Sequence, residues 1–213
     1  MRYYQYGVGL IEVLVSLLIL AVAILGFSAM QMQSIKSTSE SVDRSQTLLM
    51  MRSLAEKIRA NPSAIATYQD ALNKVYADMN KAAGANDTFT QPSNLCVGST
   101  TCTATEIANA EVWKLKTQLT STGLQMDLQP CPSTGGGGTT ASTNVMYSYC
   151  LITAWGNTTP TIGTDNNPVK DPNIANDKGT MDCLTPRDAS DTTNIKTGGK
   201  YHPKATCMFL EIN

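Results

Sequence analysis

The sequence predicts an α+β fold: a long N-terminal helix, with a membrane half and an amphipathic half, packed on a small antiparallel sheet with disulfide-bonded loops. Three observations carry this expectation. From Val13 to Ile35 there are 23 residues without a charge. Beyond Gly9, only Gly26 interrupts good helix-forming sequence before the first proline, Pro62. All six cysteines lie beyond the apolar run, among short segments in which apolar and polar residues alternate.

The apolar run comes first. At about 1.5 Å per residue it makes roughly 34 Å of helix, enough to cross a bilayer core of about 30 Å. Its continuation changes character. Ile35, Val42 and Leu49 recur every seventh residue, joined by Met50, Leu54 and Ile58, while Lys36, Glu40, Asp43, Arg44 and Arg52 fill other faces. That pattern predicts one stripe turned to a core. The helix is expected from about Val8 to Ala60, and Asn61-Pro62 stops it because proline disfavours helix in the residue before it. Gly26 is ordinary in a membrane helix.

Residues 62–82 predict a second helical stretch, with Ile65, Tyr68, Leu72, Val75, Tyr76 and Met79 at near-helical spacing. A loop over 84–94 follows, then a small loop between Cys96 and Cys102. Thr105–Ser121 reads as another amphipathic helix. Leu124, Met126 and Leu128 alternate as in a strand, and 130–142, with four glycines at 135–138, reads as a loop. Val145–Trp155 is the clearest strand: Tyr147, Tyr149, Leu151, Thr153 and Trp155 share one face, and Met146, Cys150, Ile152 and Ala154 the other. Residues 156–204, rich in Asn, Asp, Thr, Gly and Pro, predict a long surface excursion with little regular structure. Ala205–Ile212 closes the chain as a strand. The sheet is expected to cover the amphipathic half of the first helix.

Composition narrows the function. Net charge is −1 from 16 basic and 17 acidic residues, with no block of either sign, so no nucleic-acid partner is expected. An even number of cysteines beyond an export signal argues for disulfides in an oxidising space. No Cys-x-x-Cys pair is present and His202 is the only histidine, so neither a metal site nor a Cys-His catalytic pair is expected. The run Asp165, Asn166, Asn167, Asp171, Asn173 and Asp177 lacks the spacing of a calcium loop. Gly135–Gly138 lack the Lys-Ser/Thr of a phosphate loop. Ser28, Ser34 and Ser45 have no base nearby in sequence, and Trp113 and Trp155 read as core residues. No catalytic residue, metal or cofactor is expected.

Glu12 stands at the mouth of the apolar run, five residues after Gly7. A carboxylate costs about 2.5–3.5 kcal/mol at mid-membrane on insertion scales, and less near the surface, so a chain with no use for it would do better with Leu there. The stretch Gly7-Val8-Gly9-Leu10-Ile11-Glu12-Val13-Leu14 resembles the prepilin cleavage motif of type IV pilins and type II secretion pseudopilins. Arg2 is the one basic residue of the leader, and Val8 and Gly9 replace commoner Phe and Thr or Ser. The resemblance implies that prepilin peptidase cuts between Gly7 and Val8, making Glu12 the fifth mature residue, and methylates the new amine. It implies a lollipop shape with three parts: a leader at 1–7, a transmembrane and assembly helix at 8–35, and a globular domain at 36–213, whose first section, 36–60, is the amphipathic half of the helix. An ordinary secretory signal would instead have a short apolar region followed by a small-residue cleavage site.

Arg44-Ser-Gln-Thr-Leu-Leu49, Glu56-Lys-Ile-Arg-Ala-Asn-Pro62, the Cys96…Cys102 pair, Ala108-Asn-Ala-Glu-Val-Trp113 and Tyr147-Ser-Tyr-Cys-Leu-Ile-Thr-Ala-Trp155 are similar to the PilV group of minor pilins, the type IV pilus modification proteins. That narrower resemblance implies a low-abundance subunit that primes pilus assembly. It implies the inner membrane before assembly, with the domain in the periplasm, and the pilus tip afterwards. The implied partners are prepilin peptidase, other minor pilins, the major pilin and a large tip adhesin, in a machine that serves adhesion and twitching motility. The competing reading is a minor pseudopilin of a type II secretion system, since the Glu-Val-Leu-Val start fits both. A tethered periplasmic enzyme would need a nucleophile with a base, or a metal site.

Within this frame Glu12 has two readings: its carboxylate pairs with the α-amine at Val8 of a neighbouring subunit, or with its own. Cys96–Cys102 is the expected short bridge. Cys131–Cys150 would tie the central strands across their loop, and Cys183–Cys207 would anchor the excursion to the last strand, a C-terminal bridge of a kind common in pilins. The alternative is that Cys131 and Cys183 have exchanged partners.

Overall fold

The computed structural model describes residues 9–82, 84–98, 101–132, 148–163, 179–185 and 199–212. The expected leader and cleavage site at Gly7 and Val8, the glycines at 135–138, the start of the expected strand at 145–147 and the Asx-rich run at 165–177 lie outside the described residues. The chain divides into two units, 1–44 and 45–213.

Helix α1 runs Leu10–Ala60, a single element of 51 residues. It stops where the sequence requires. The amide of Asn61 still donates to the carbonyl oxygens of Lys57 and Ile58, and Pro62 then begins a short 3-10 turn, Pro62–Ala64. The Asn61 side chain donates from Nδ2 to the carbonyl of Ala104 at 2.8 Å, tying the end of α1 to the start of a later helix.

In the second unit α1 contributes Thr47, Met51, Leu54, Ala55 and Ile58 to the core. The expected stripe is therefore corrected. Leu54 and Ile58 belong to it, but Ile35, Val42 and Leu49 are 67%, 47% and 69% exposed. Leu49 and Met51 are two residues apart, about 200° around a helix axis, so burying one turns the other away. Sevenfold recurrence identified an apolar face; the 4–3–4 spacing of Thr47, Met51, Leu54 and Ile58 is the face that the neighbouring helices select.

Helix α2, Ile65–Met79, buries Tyr68, Ala71, Leu72 and Val75. Helix α3, Ala104–Thr122, buries Ala108, Ala110, Val112, Leu115 and Leu119. Its start is a capping box: the Thr103 hydroxyl accepts the Glu106 amide at 3.3 Å, and the Glu106 carboxylate accepts the Thr103 amide at 2.9 Å. Gly123, with φ 71°, ends it in the left-handed region that other residues avoid.

Three strands form an antiparallel sheet in the order β1-β2-β5: β1 is Gln125–Pro130, β2 is Tyr149–Ala154 and β5 is Cys207–Ile212. The register sets Leu128 opposite Leu151, and Leu151 opposite Leu210. Central strand β2 separates two cores. Leu151 joins the helices' cluster with Tyr68, Leu72, Val112, Met126 and Leu128. Ile152, Ala154 and Cys150 join a second cluster with Cys131, Cys183, Leu184 and Cys207. The element laid against β1 is α2, with α3 packed on α2; the α1 stripe enters the same core.

The expectation of an excursion with little regular structure is overturned at two places. Strands β3, Thr158–Ile162, and β4, Met181–Leu184, pair in parallel as a second small sheet. Thr158, Thr159, Met181, Cys183 and Leu184 are buried. These strands lack the apolar alternation of a half-exposed strand, because threonines supply β3, a proline interrupts it, and the partner lies some twenty residues away in sequence. Their order comes from pairing and from the second core, neither of which is local.

The six cysteines form Cys96–Cys102, Cys131–Cys150 and Cys183–Cys207, with Cα–Cα separations of 6.0, 4.9 and 5.9 Å. The exchanged pairing does not occur. The last two bridges sit in the second core, joining the sheet to its flanking segments.

One polar cluster locks the helices to the loop after α2. Asp78 accepts hydrogen bonds from the Thr88 amide (2.6 Å), the Thr88 hydroxyl (2.7 Å), the Phe89 amide (3.0 Å) and the Lys116 ammonium (2.9 Å). Lys116 also reaches Asp87 and the Phe89 carbonyl, both at 2.8 Å, and lies 5.3 Å from the Trp113 ring centre. Burial works against ionised Asp78, but the ammonium, both amides and the hydroxyl outweigh it and hold the carboxyl well below the usual carboxylate range.

Two outcomes follow for stability. Serine at both Cys183 and Cys207 should cost about 3.5 kcal/mol in the loop-entropy model, against about 2.4 kcal/mol for Cys96 and Cys102, because the first bridge closes the longer loop. Denaturant titration of the two variants gives the order. A depressed carboxyl contributes stability that is present above its unfolded value, near pH 4, and is lost as pH falls through its folded value. Asp78→Asn should therefore destabilise the domain by about 3 kcal/mol at pH 7, with the difference from wild type shrinking below about pH 4. Melting curves from pH 2 to 7 measure it.

Candidate functional site

The candidate site is the apolar length of α1. Every described residue from Gly9 to Ser39 is exposed. Sixteen large apolar side chains from Leu10 to Ile35 are 47–80% exposed and are distributed all round the helix. An 18-residue stretch of it has a mean hydropathy of 2.8. A helix apolar on every face belongs in a large core or in lipid. By length and composition, this one is sufficient to cross a membrane.

Two of its hydroxyls are satisfied within the helix. The Ser16 hydroxyl donates to the Val13 carbonyl, and the Ser28 hydroxyl to the Ile24 carbonyl, each at 2.9 Å. Such back-bonding leaves no hydroxyl of these residues in need of water. The first turn is closed by Gly9, whose carbonyl accepts the Glu12 amide at 2.9 Å. Glu12 occupies that first turn, where the unpaired amides and the positive end of the helix dipole favour a negative charge. Its side chain is exposed. Gly7 and Val8, the expected processing residues, lie outside the described residues.

The other residues considered from the sequence take structural places. His202 is buried with Nε2 3.1 Å from the Gly163 carbonyl. Trp155 is buried, and Trp113 is half-buried with its ring 6.1 Å from that of Phe89. Among the described residues no group of three His, Cys, Asp or Glu side chains is placed to hold a metal ion. The Asp78–Lys116 cluster has no signature in the sequence, because its two charged members are separated by 38 residues and carry no motif.

The second unit contains its own two cores and all three bridges. A chain beginning at Ile35 should therefore stay soluble without detergent, keep three disulfides and melt within about 2 °C of the full chain. Calorimetry of both forms tests this; a shift much larger than that would place residues before Ile35 in the stability of the domain.

Two family models match in succession. The prokaryotic N-terminal methylation motif covers residues 2–28, and the family described as type IV pilin Tt1218 covers residues 29–113. The first spans the glycine, the glutamate and most of the apolar run, and implies processing by prepilin peptidase. The second spans the rest of α1, all of α2 and the disulfide loop, and ends inside α3 at Trp113. No curated protein and no solved structure matches the chain. With an exposed apolar N-terminal helix, an antiparallel sheet, three disulfides and both matches in place, the chain is similar over residues 2–113 to type IV pilins, which are structural proteins rather than enzymes.

Proposed function

We propose that this pilin is a minor subunit that primes assembly of a type IV pilus and sits at or near its tip. The observation that carries the reading is Glu12 at the head of a helix whose apolar length is exposed on every face among the described residues. The narrower assignment, to the PilV group, rests on the resemblance of 44–49, 56–62, the Cys96 and Cys102 pair, 108–113 and 147–155. On this reading the helix first spans the inner membrane, with the domain in the periplasm. Other minor pilins, the major pilin and a tip adhesin then surround it.

Glu12 has a chemical task in this scheme. Cleavage after Gly7 leaves an α-ammonium at Val8, and in lipid or in a filament core that cation requires a partner. Opposite unit charges 4 Å apart attract by about 4 kcal/mol at an effective dielectric of 20, against about 1 kcal/mol in water. A neighbouring subunit's Val8 in the layer of Glu12 draws the incoming helix to the correct depth. The short bonds of Ser16 and Ser28 to their own helix leave Glu12 as the strongest polar attraction along the apolar length.

The mature chain should begin at Val8 with a methylated amine, read by mass spectrometry of protein from sheared pili. Glu12→Ala should still be cut and inserted, because the cut site is untouched, yet should enter pili at no more than about a tenth of the wild-type level. Normal incorporation would remove the assembly role of Glu12.

Loss of the protein should sharply lower surface pili without lowering cellular major pilin. The labelled protein should appear in few copies, at filament ends. Even distribution along the shaft in amounts comparable with the major subunit would refute the priming role. Impaired protein secretion with normal piliation would favour the pseudopilin reading.

A further inference from the structure

The second unit carries a groove of ≈ 100 Å³ between the last turns of α1 and the middle of α3. Its floor is apolar: Leu54 and Leu115 are buried, and Met50 is half-buried. Its rim is cationic. Lys57 stands on the α1 side and Lys114 on the α3 side, with Glu111 as the one carboxylate. Glu111 is engaged inward, accepting the hydroxyl of fully buried Tyr68. Neither Lys57 nor Lys114 is in any ion pair of the described residues, although Arg44, Arg59, Lys74, Lys81 and Lys116 all are.

A groove with an aliphatic floor, two lysines outside every ion pair of the described residues, and one carboxylate that already accepts the Tyr68 hydroxyl is a surface incomplete by itself. The groove has room for one aliphatic side chain, and the rim asks for negative charge on either side of it. We propose that this groove receives a helical segment of a neighbouring pilin subunit of a different kind, one that presents an aliphatic side chain flanked by carboxylates. Charge complementarity selects that partner. An aliphatic side chain in the floor excludes water, and the carboxylates meet Lys57 and Lys114 where solvent screening is reduced. Helix-in-groove recognition reads such side chains three and four residues apart, which suits a slot bounded by two helices. The proposal rests on the reading of the chain as one pilin among several, and it assigns the domain face on which another subunit docks.

The test uses the full-length protein at its native level in membranes and in sheared pili. A water-soluble carbodiimide joins an ammonium directly to a carboxylate in contact with it, so its products name both sides. Mass spectrometry of crosslinked peptides should show Lys57 or Lys114 linked to an Asp or Glu in a helical segment of another pilin. The Lys57→Glu/Lys114→Glu variant should lose at least tenfold of the co-purifying partner, with melting temperature and disulfides unchanged. Lys57→Arg/Lys114→Arg should retain it. Links confined to the chain's own Glu111, links to a second copy of this chain, or no links at either lysine would each overturn the proposal. If pilus number still depends on the protein while no such link forms, the groove assignment fails and the priming role stands. If pilus number does not depend on the protein, the priming role fails whatever the crosslinks show.

Discussion

Sixteen large apolar side chains from Leu10 to Ile35 are exposed among the described residues, and that constraint orders the rest of the molecule. At about 1.5 kcal/mol or more for each side chain removed from water, the unmet driving force is on the order of 20 kcal/mol. This exceeds the whole stability of an ordinary domain, roughly 5–15 kcal/mol. Such a helix is always covered, by lipid or by other helices.

A domain on the same chain as such a helix has to hold its own structure without help from it. The second unit does so with two cores on opposite faces of one three-stranded sheet. The helices supply the first, through Met51, Leu54, Ile58, Tyr68, Leu72 and Val112. The second is smaller and consists in large part of half-cystines, with Cys131, Cys150, Cys183 and Cys207 packed against Ile152 and Leu184. Covalent closure there compensates for a core too small to hold its flanking segments by burial alone. The Asp78–Lys116 cluster does the corresponding task on the helical side, where a loop with little apolar content is held by charge-assisted hydrogen bonds to buried groups.

The exposed face of α1 and the groove beside it belong to one pattern. Leu49 points outward while Met50, the next residue, lines the groove. Along this part of the helix the domain uses one stripe for its own core and leaves the adjoining surface uncovered.

The sequence by itself determined the long helix, its end at Asn61-Pro62, the two helices after it and the three antiparallel strands. Each of these is written in local periodicity or in the stereochemistry of one residue. It also pointed to a pilin-like chain, because Gly7, Glu12 and the apolar run are a linear motif. Tertiary structure decided what is set by neighbours. Leu54 and Ile58 were legible as core residues, but the choice of Met51 and Thr47 over Val42 and Leu49 depends on where α2 and α3 lie. The pairing of Thr158–Ile162 with Met181–Leu184 and the choice among cysteine partners depend on contacts between distant segments. The cluster around Asp78 and the unpaired lysines of the groove follow from folded proximity, for which a chain read residue by residue carries no local signal.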